Sequence, residues 1–207
     1  MRHKHIFRSL AVLAVICAGL LLATDKAFAH CDTMDGPVVK AAQRALAKRN
    51  VNLVLLWVQK KDEAEIKQRF LQTLAVRRLN RTARELADNY FFETLVRLHR
   101  TGEGEPYTGL KPSGTDLGPV IPVADKAFQD GSAEALLKLF PELARRDIEI
   151  RFAEAINKKG FDENNVEAGR QYVNAYITFM HHVEHLYEES HKGQATGTAR
   201  EELRPKP

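Results

Sequence analysis

The stretch GEGEPYTGLKPSGTDLGP, residues 102 to 119, holds too many glycines and prolines for a helix or strand to run through it. It divides a chain that reads as helix on both sides, so it fixes where elements must end. Ahead of it, Pro37 suits a first helical position, and Val38, Ala41, Ala42, Ala45 and Leu46 recur at helical spacing to about Arg49. Asn50 and Asn52 break into LVLLWVQ, which the helices on either side make a further helix. Asp62 and Glu65 read as a capping pair for a helix over about 63–79 with Ile66, Phe70, Leu74 and Leu79 on one face. RTARELADNYFFETLVRLHRTG then gives an antiparallel partner with Leu86, Tyr90, Leu95 and Leu98 inward and Gly102 as its stop. After the loop, helices are expected over about 120–130, 132–140, 141–159 and 164–191. On the last, Val166, Val173, Ile177 and Met180 share a side. The class is all-α, an antiparallel helical bundle with one long Gly/Pro-rich loop at about 102–119, a packed surface loop pinned by Tyr107 and Leu110.

The first 29 residues have a separate character. Arg2, Lys4 and Arg8 precede an apolar run from Ala11 to Ala23, and Ala27, Phe28 and Ala29 close it with small residues around a cleavage point. This is the anatomy of a secretory signal peptide. Its run is too short for a comfortable membrane span, and Cys17 lies inside it rather than at its end, where a lipidated cysteine would sit. Losing the leader with its four basic residues takes the formal charge from +4 to near neutral, and no basic stripe interleaved with aromatics remains to bind nucleic acid. The expectation is an exported protein, periplasmic or secreted, free of the membrane after cleavage. It would have a single helical domain over 30–191 and a polar, flexible tail over 192–207.

Cys31 alone survives in such a mature chain, so no internal disulfide can form. Cleavage after Ala29 would place a new α-amine on His30, beside its imidazole, the Cys31 amide nitrogen and the Cys31 thiolate. Amine and amide close one five-membered chelate ring, and amide and thiolate close another. Nitrogen donors in a plane favour Cu(II) or Ni(II) over Zn(II), and thiolate selects softer ions. Asp32, Met34 and Asp35 could add a carboxylate or thioether, and Gly36 would let the segment curl back. His30, Cys31, Asp32 and Gly36 resemble the amino-terminal hook of nickel superoxide dismutase, a helical-bundle enzyme. The resemblance implies nickel held by the first amine, ring, amide and thiolates. The hook's second cysteine is replaced here by Asp35 and its proline by Met34, so metal binding carries over better than dismutase activity. Over most of the mature length, HCDTMDGPV, ADNYFFETLVRLHR, GEGEPYTGLKPSGTD and HHVEHLYEE resemble an uncharacterised bacterial exported family, which implies no activity.

FMHHVEHLYEESH, residues 179 to 191, adds a histidine cluster. His181 and His185 are one helical turn apart and could share a metal, with His182, Glu184, Glu188 or Glu93 as secondary donors. The same residues could equally be a solvated helix end whose imidazoles complement the dipole. His181 to His185 also spells HxxEH, but a zinc peptidase of that kind needs a further carboxylate far downstream, and too little chain follows. His99 reads as an ordinary helix-end histidine and Trp57 as a core residue. If the two regions met, His30, Cys31, His181 and His185 would form one mixed site. The function expected is exported metal binding through the mature N-terminal His-Cys, with redox chemistry toward superoxide open. A non-metal periplasmic binding module is the alternative, and a homo-oligomer stays open.

Overall fold

A computed structural model describes residues 30–201, with side chains to His191; the expected signal peptide lies outside the described residues. Eight helices carry the fold: α1 (Pro37–Lys48), α2 (Asn52–Leu55), α3 (Glu63–Val76), α4 (Arg81–Glu103), α5 (Val120–Asp130), α6 (Glu134–Leu137), α7 (Glu142–Ile156) and α8 (Val166–Glu201). Among the described residues there is no strand, only an isolated parallel bridge between Thr33 and Lys111. No helix among them is long and apolar enough to cross a membrane. The all-α bundle is as the sequence predicts. Helices α3 and α4 form one hairpin and α7 packs along α8, while α1 lies on α4 and α5 on α8.

The N-terminal end of α1 forms as expected, with Pro37 in the first turn and Val38, Val39, Ala42, Ala45 and Leu46 buried. LVLLWVQ is only partly helical: α2 is a single turn, and Leu53 to Val58 are buried in continuous register, which an irregular turn permits and a solvent-facing helix would not. Arg170 of α8 holds this segment. Its Nε donates to Val58 O (3.1 Å) and its Nη2 to Leu55 O (3.2 Å) and to Glu63 Oε1 (2.6 Å), so two carbonyls of this irregular segment gain a charged donor. Asp62 does not cap α3 through its side chain; it ends a 3-10 turn over Lys60–Asp62 that runs directly into the helix.

The hairpin corrects the expected phase of the first half of α4, while Leu95 and Leu98 face inward as expected. Leu86 and Tyr90 are exposed, and the inward stripe is Ala87, Phe91, Leu95 and Leu98 with Phe92, Val96 and His99 beside it; Leu79, expected on the face of α3, is exposed in the turn after that helix ends at Val76. Adjacent residues differ by about 100° around a helix, so stepping from Leu86 and Tyr90 to Ala87 and Phe91 brings the first two turns into line with Leu95 and Leu98. Arg77 fixes that register by pairing bidentately with Asp88 (2.8 and 3.1 Å). Helix α4 also passes through Gly102 and stops at Gly104, whose φ of 80° is the left-handed conformation that closes a helix at low cost for glycine alone. The helix expected over 132–140 shrinks to α6, and α8 continues to Glu201 past the expected end near 191. The centre of the second half is aromatic: Phe128 lies 5.0 Å from Tyr176, 5.2 Å from Phe152 and 5.3 Å from Phe179, each ring burial contributing about 1.5–3 kcal/mol.

Candidate functional site

The segment ahead of α1 is part of the core. His30 to Asp32 form a 3-10 turn in which His30, Cys31 and Asp32 are 7, 4 and 2 % exposed. The turn folds back because position 36 is glycine: a Cβ there would collide with the His30 carbonyl oxygen and come within 2.9 Å of Thr33 Oγ1. The long loop, residues 104–119 in the structure, straps this segment down. Lys111 N donates to Asp32 O (2.8 Å), Met34 N to Lys111 O (3.0 Å) and Gly114 N to the Asp35 carboxylate (3.0 Å). That last bond holds Asp35 below its ordinary carboxylate range. The two features singled out separately in the sequence thus pack together, and Tyr107 and Leu110 rest against the core as expected of pinning residues.

Two polar assemblies flank the buried Cys31. On one side the His30 ring meets Asp125 of α5, Nε2 to Oδ2 at 2.7 Å, and the Tyr176 hydroxyl of α8 donates to the other carboxylate oxygen at 2.6 Å. Burial pushes Asp125 up, but the hydrogen bonds from His30 and Tyr176 outweigh it and hold the carboxyl below its usual range. With Nε2 committed to the carboxylate, Nδ1 is the lone-pair nitrogen of a neutral ring. On the other side, Arg100 of α4 is 3 % exposed and faces three carboxylates: Asp32 at 3.6 Å, Glu103 at 3.4 Å and Glu105 at 3.8 Å. Burial dominates here and Arg100 only partly offsets it, so Asp32 rises to about 6 and Glu103 to about 7. The Cys31 thiol is raised well above its ordinary value by burial and then by the charges of Glu103 and Asp32.

His99 is not an ordinary helix-end residue. It is buried against the Trp57 ring (centroids 5.6 Å apart), and its Nδ1 bonds Trp57 O at 2.9 Å. Burial lowers it to about 4, so it is neutral. Its Nε2 faces Glu103 Oε1 at 3.3 Å without a hydrogen bond.

The histidines of α8 separate. His181 is half-buried and lowered by burial and by the field of Arg100, with a smaller effect from His30, which brings it into the electrostatic surroundings of the hook. His185 is exposed and 3.5 Å from Glu189, and His182 reaches Asp147 of α7 at 2.6 Å. Glu184 is buried and raised to about 8 by burial and then by Glu188, while Glu93 is exposed. Among the described residues no three His, Cys, Asp or Glu side chains are arranged to hold one ion. His30, Cys31, His181 and His185 therefore do not meet as a single group of side chains.

Sequence reasoning missed Asp125, Tyr176, Arg100 and Glu103. One signal was present for the buried His99, which falls seven positions after Phe92 on the core stripe, whereas an acid or a tyrosine on an amphipathic helix carries none.

A family model matches residues 35–182. The chain belongs to DUF6448, a family of unknown function. The match takes in the polar residues of α4, α5 and α8 from His99 to His182, and it starts after His30 and Cys31 and ends before His185. Curated proteins and solved structures yielded no match to this DUF6448 chain.

Proposed function

We propose that this DUF6448 chain is an exported metal-binding protein whose mature N terminus, made by cleavage between Ala29 and His30, is the ligand set: amine, imidazole and amide nitrogens with the Cys31 thiolate, for Ni or Cu ahead of Zn. The supporting observation is the chain Tyr176–Asp125–His30. A ligating histidine commonly gives its other ring nitrogen to a carboxylate, which sets its tautomer and orientation. Asp125 does this for His30, leaving Nδ1 for an ion beside a buried thiol. Burial, and after it the charges of Glu103 and Asp32, keep that thiol protonated; the same carboxylates favour a cation, and a bound ion would reverse the balance by acidifying its own ligands. The donor set fits an ion only if the new amine and the amide nitrogen take part, because side chains alone do not complete it. When bound, Cu or Ni on a thiolate would supply one-electron chemistry, and superoxide is the substrate to try first. Asp35 stands where a second thiolate would be and is held outward by Gly114, so binding is expected more strongly than dismutation.

The experiment is expression with the native leader, confirmation of the first residue by intact mass, and copper, nickel and zinc content after dialysis. One equivalent of copper or nickel is expected. It should vanish on adding a residue before His30 or on Cys31→Ser. Equal content in all three proteins would sink the proposal.

A non-metal binding module has one observation in its favour, a cleft of about 410 Å³ lined by Trp57, Phe161 and Tyr172 together with Lys40, Lys159 and the Arg44–Glu163 pair. A metal-free protein that retains an aromatic anion through dialysis would select that reading.

A further inference from the structure

His99 and Glu103 lie one turn apart on α4 and open into a cleft of about 250 Å³ that Trp57, Gln59, Gly102 and Arg170 also line. Neither belongs to the hook. The Trp57 carbonyl can only accept, so the bond at 2.9 Å places the His99 proton on Nδ1 and leaves Nε2 with a bare lone pair. That nitrogen is in a residue 3 % exposed and has no hydrogen-bond partner. What faces it, Glu103 Oε1 at 3.3 Å, is another lone-pair atom. Arg100 engages the other oxygen, Oε2, at 3.4 Å, so Oε1 is the one turned to the histidine. Two acceptors at this separation repel unless a positive centre lies between them, a proton or a metal ion.

We propose that His99 Nε2 and Glu103 Oε1 form a second cation site, for a borderline divalent ion of the Zn(II) class, opening to solvent through this cleft. A four-coordinate zinc about 2.0–2.1 Å from nitrogen and oxygen sets those two atoms about 3.4 Å apart, close to the spacing observed. The backbone bond to Nδ1 is the outer support that ligating histidines commonly have. Arg170 does not oppose an ion strongly, since its charge is taken up by Glu63 at 2.6 Å. With two protein ligands among the described residues, the remaining positions belong to water or to a small anionic ligand from the cleft. The site suits an exchangeable ion rather than a structural one.

The test separates this site from the hook by using the mature chain with one residue added before His30 and Cys31→Ser, which removes the N-terminal chelate. Titration with Zn(II) should still give one equivalent, weakened at least tenfold by Glu103→Gln, a substitution that preserves shape. Because His99→Ala could unseat Trp57, the histidine is read directly: nitrogen NMR should show Zn(II) moving the His99 Nε2 resonance while Nδ1 keeps its proton. Absence of zinc binding in the hook-disabled protein, indifference to Glu103→Gln, or an unmoved Nε2 would each mean that Glu103 and His99 share only a proton, and would overturn the proposal. Failure of the hook shows instead in copper and nickel content of the unextended protein.

Discussion

The two ends of the domain both carry histidines, yet they use them in opposite ways. At the N-terminal end, His30 and His99 are buried, and each has one ring nitrogen committed, to Asp125 and to Trp57 O. At the far end of α8, His185 is exposed to solvent beside Glu189 of its own helix, and His191 stacks on Tyr187 of the preceding turn (4.0 Å). In the dense run the two exposed histidines, His185 and His191, contact residues of their own helix, while His182 reaches Asp147 of α7; the isolated histidines are held by elements distant in sequence. Chemistry concentrates where the chain returns to a place from several directions, because only there is water excluded and a tautomer fixed.

Removing the central cation should break this contrast most severely. Arg100→Met leaves Asp32, Glu103 and Glu105 without their shared counter-charge, and a loss of about 3–5 kcal/mol at pH 8 is expected from urea unfolding. At pH 5 the loss should shrink, because Asp32 near 6 and Glu103 near 7 are then protonated and need no cation. A pH-independent loss would mean that Arg100 acts through packing alone.

Glu184 sharpens the comparison from within α8, as the buried acid beside exposed histidines. Its folded value near 8 is above the ordinary 4.5, so the native state binds the proton more tightly than the unfolded one. The stability this gives is complete below 4.5 and is lost as pH rises through about 8. Glu184→Gln, which cannot ionise, should therefore exceed the parent by on the order of 2 kcal/mol at pH 9 and match it near pH 4. A gain of equal size at both pH values would assign the effect to shape.

The smallest effect belongs to the exposed histidine. His185→Ala should change stability by less than about 0.5 kcal/mol, the usual scale for a solvated pair, in the same unfolding assay. A loss of several kcal/mol would mean that the surface reading of that helix end is wrong.

Much of the fold was legible residue by residue. Pro37 opened its helix, Trp57 went to the core, and the Gly/Pro-rich stretch is irregular over 104–119, two residues shorter than expected because the helix runs through Gly102. The second half of α4 was legible in Leu95 and Leu98, but the phase of its first half was not, because Leu86 and Tyr90 compete with Ala87 and Phe91 for the hairpin face and Arg77–Asp88 settles it. Of the site, His30, Cys31 and Gly36 could be picked from their spacing, and Gly36 indeed permits the fold-back. Asp125, Tyr176 and Glu103 had no such signature, since an acid or a tyrosine in an amphipathic helix normally faces water.

The order of amino acids alone decided that this chain would be helical, where its long interruption falls, and that a histidine and a cysteine adjoin at one point. Those are matters of backbone preference and of neighbours one turn away. Which histidine is sealed from water, which carboxylate turns its ring, and how the interruption clasps the first residues were decided only when α4, α5 and α8 closed around residues 30–36. Burial and hydrogen bonding between distant segments are properties of that enclosure.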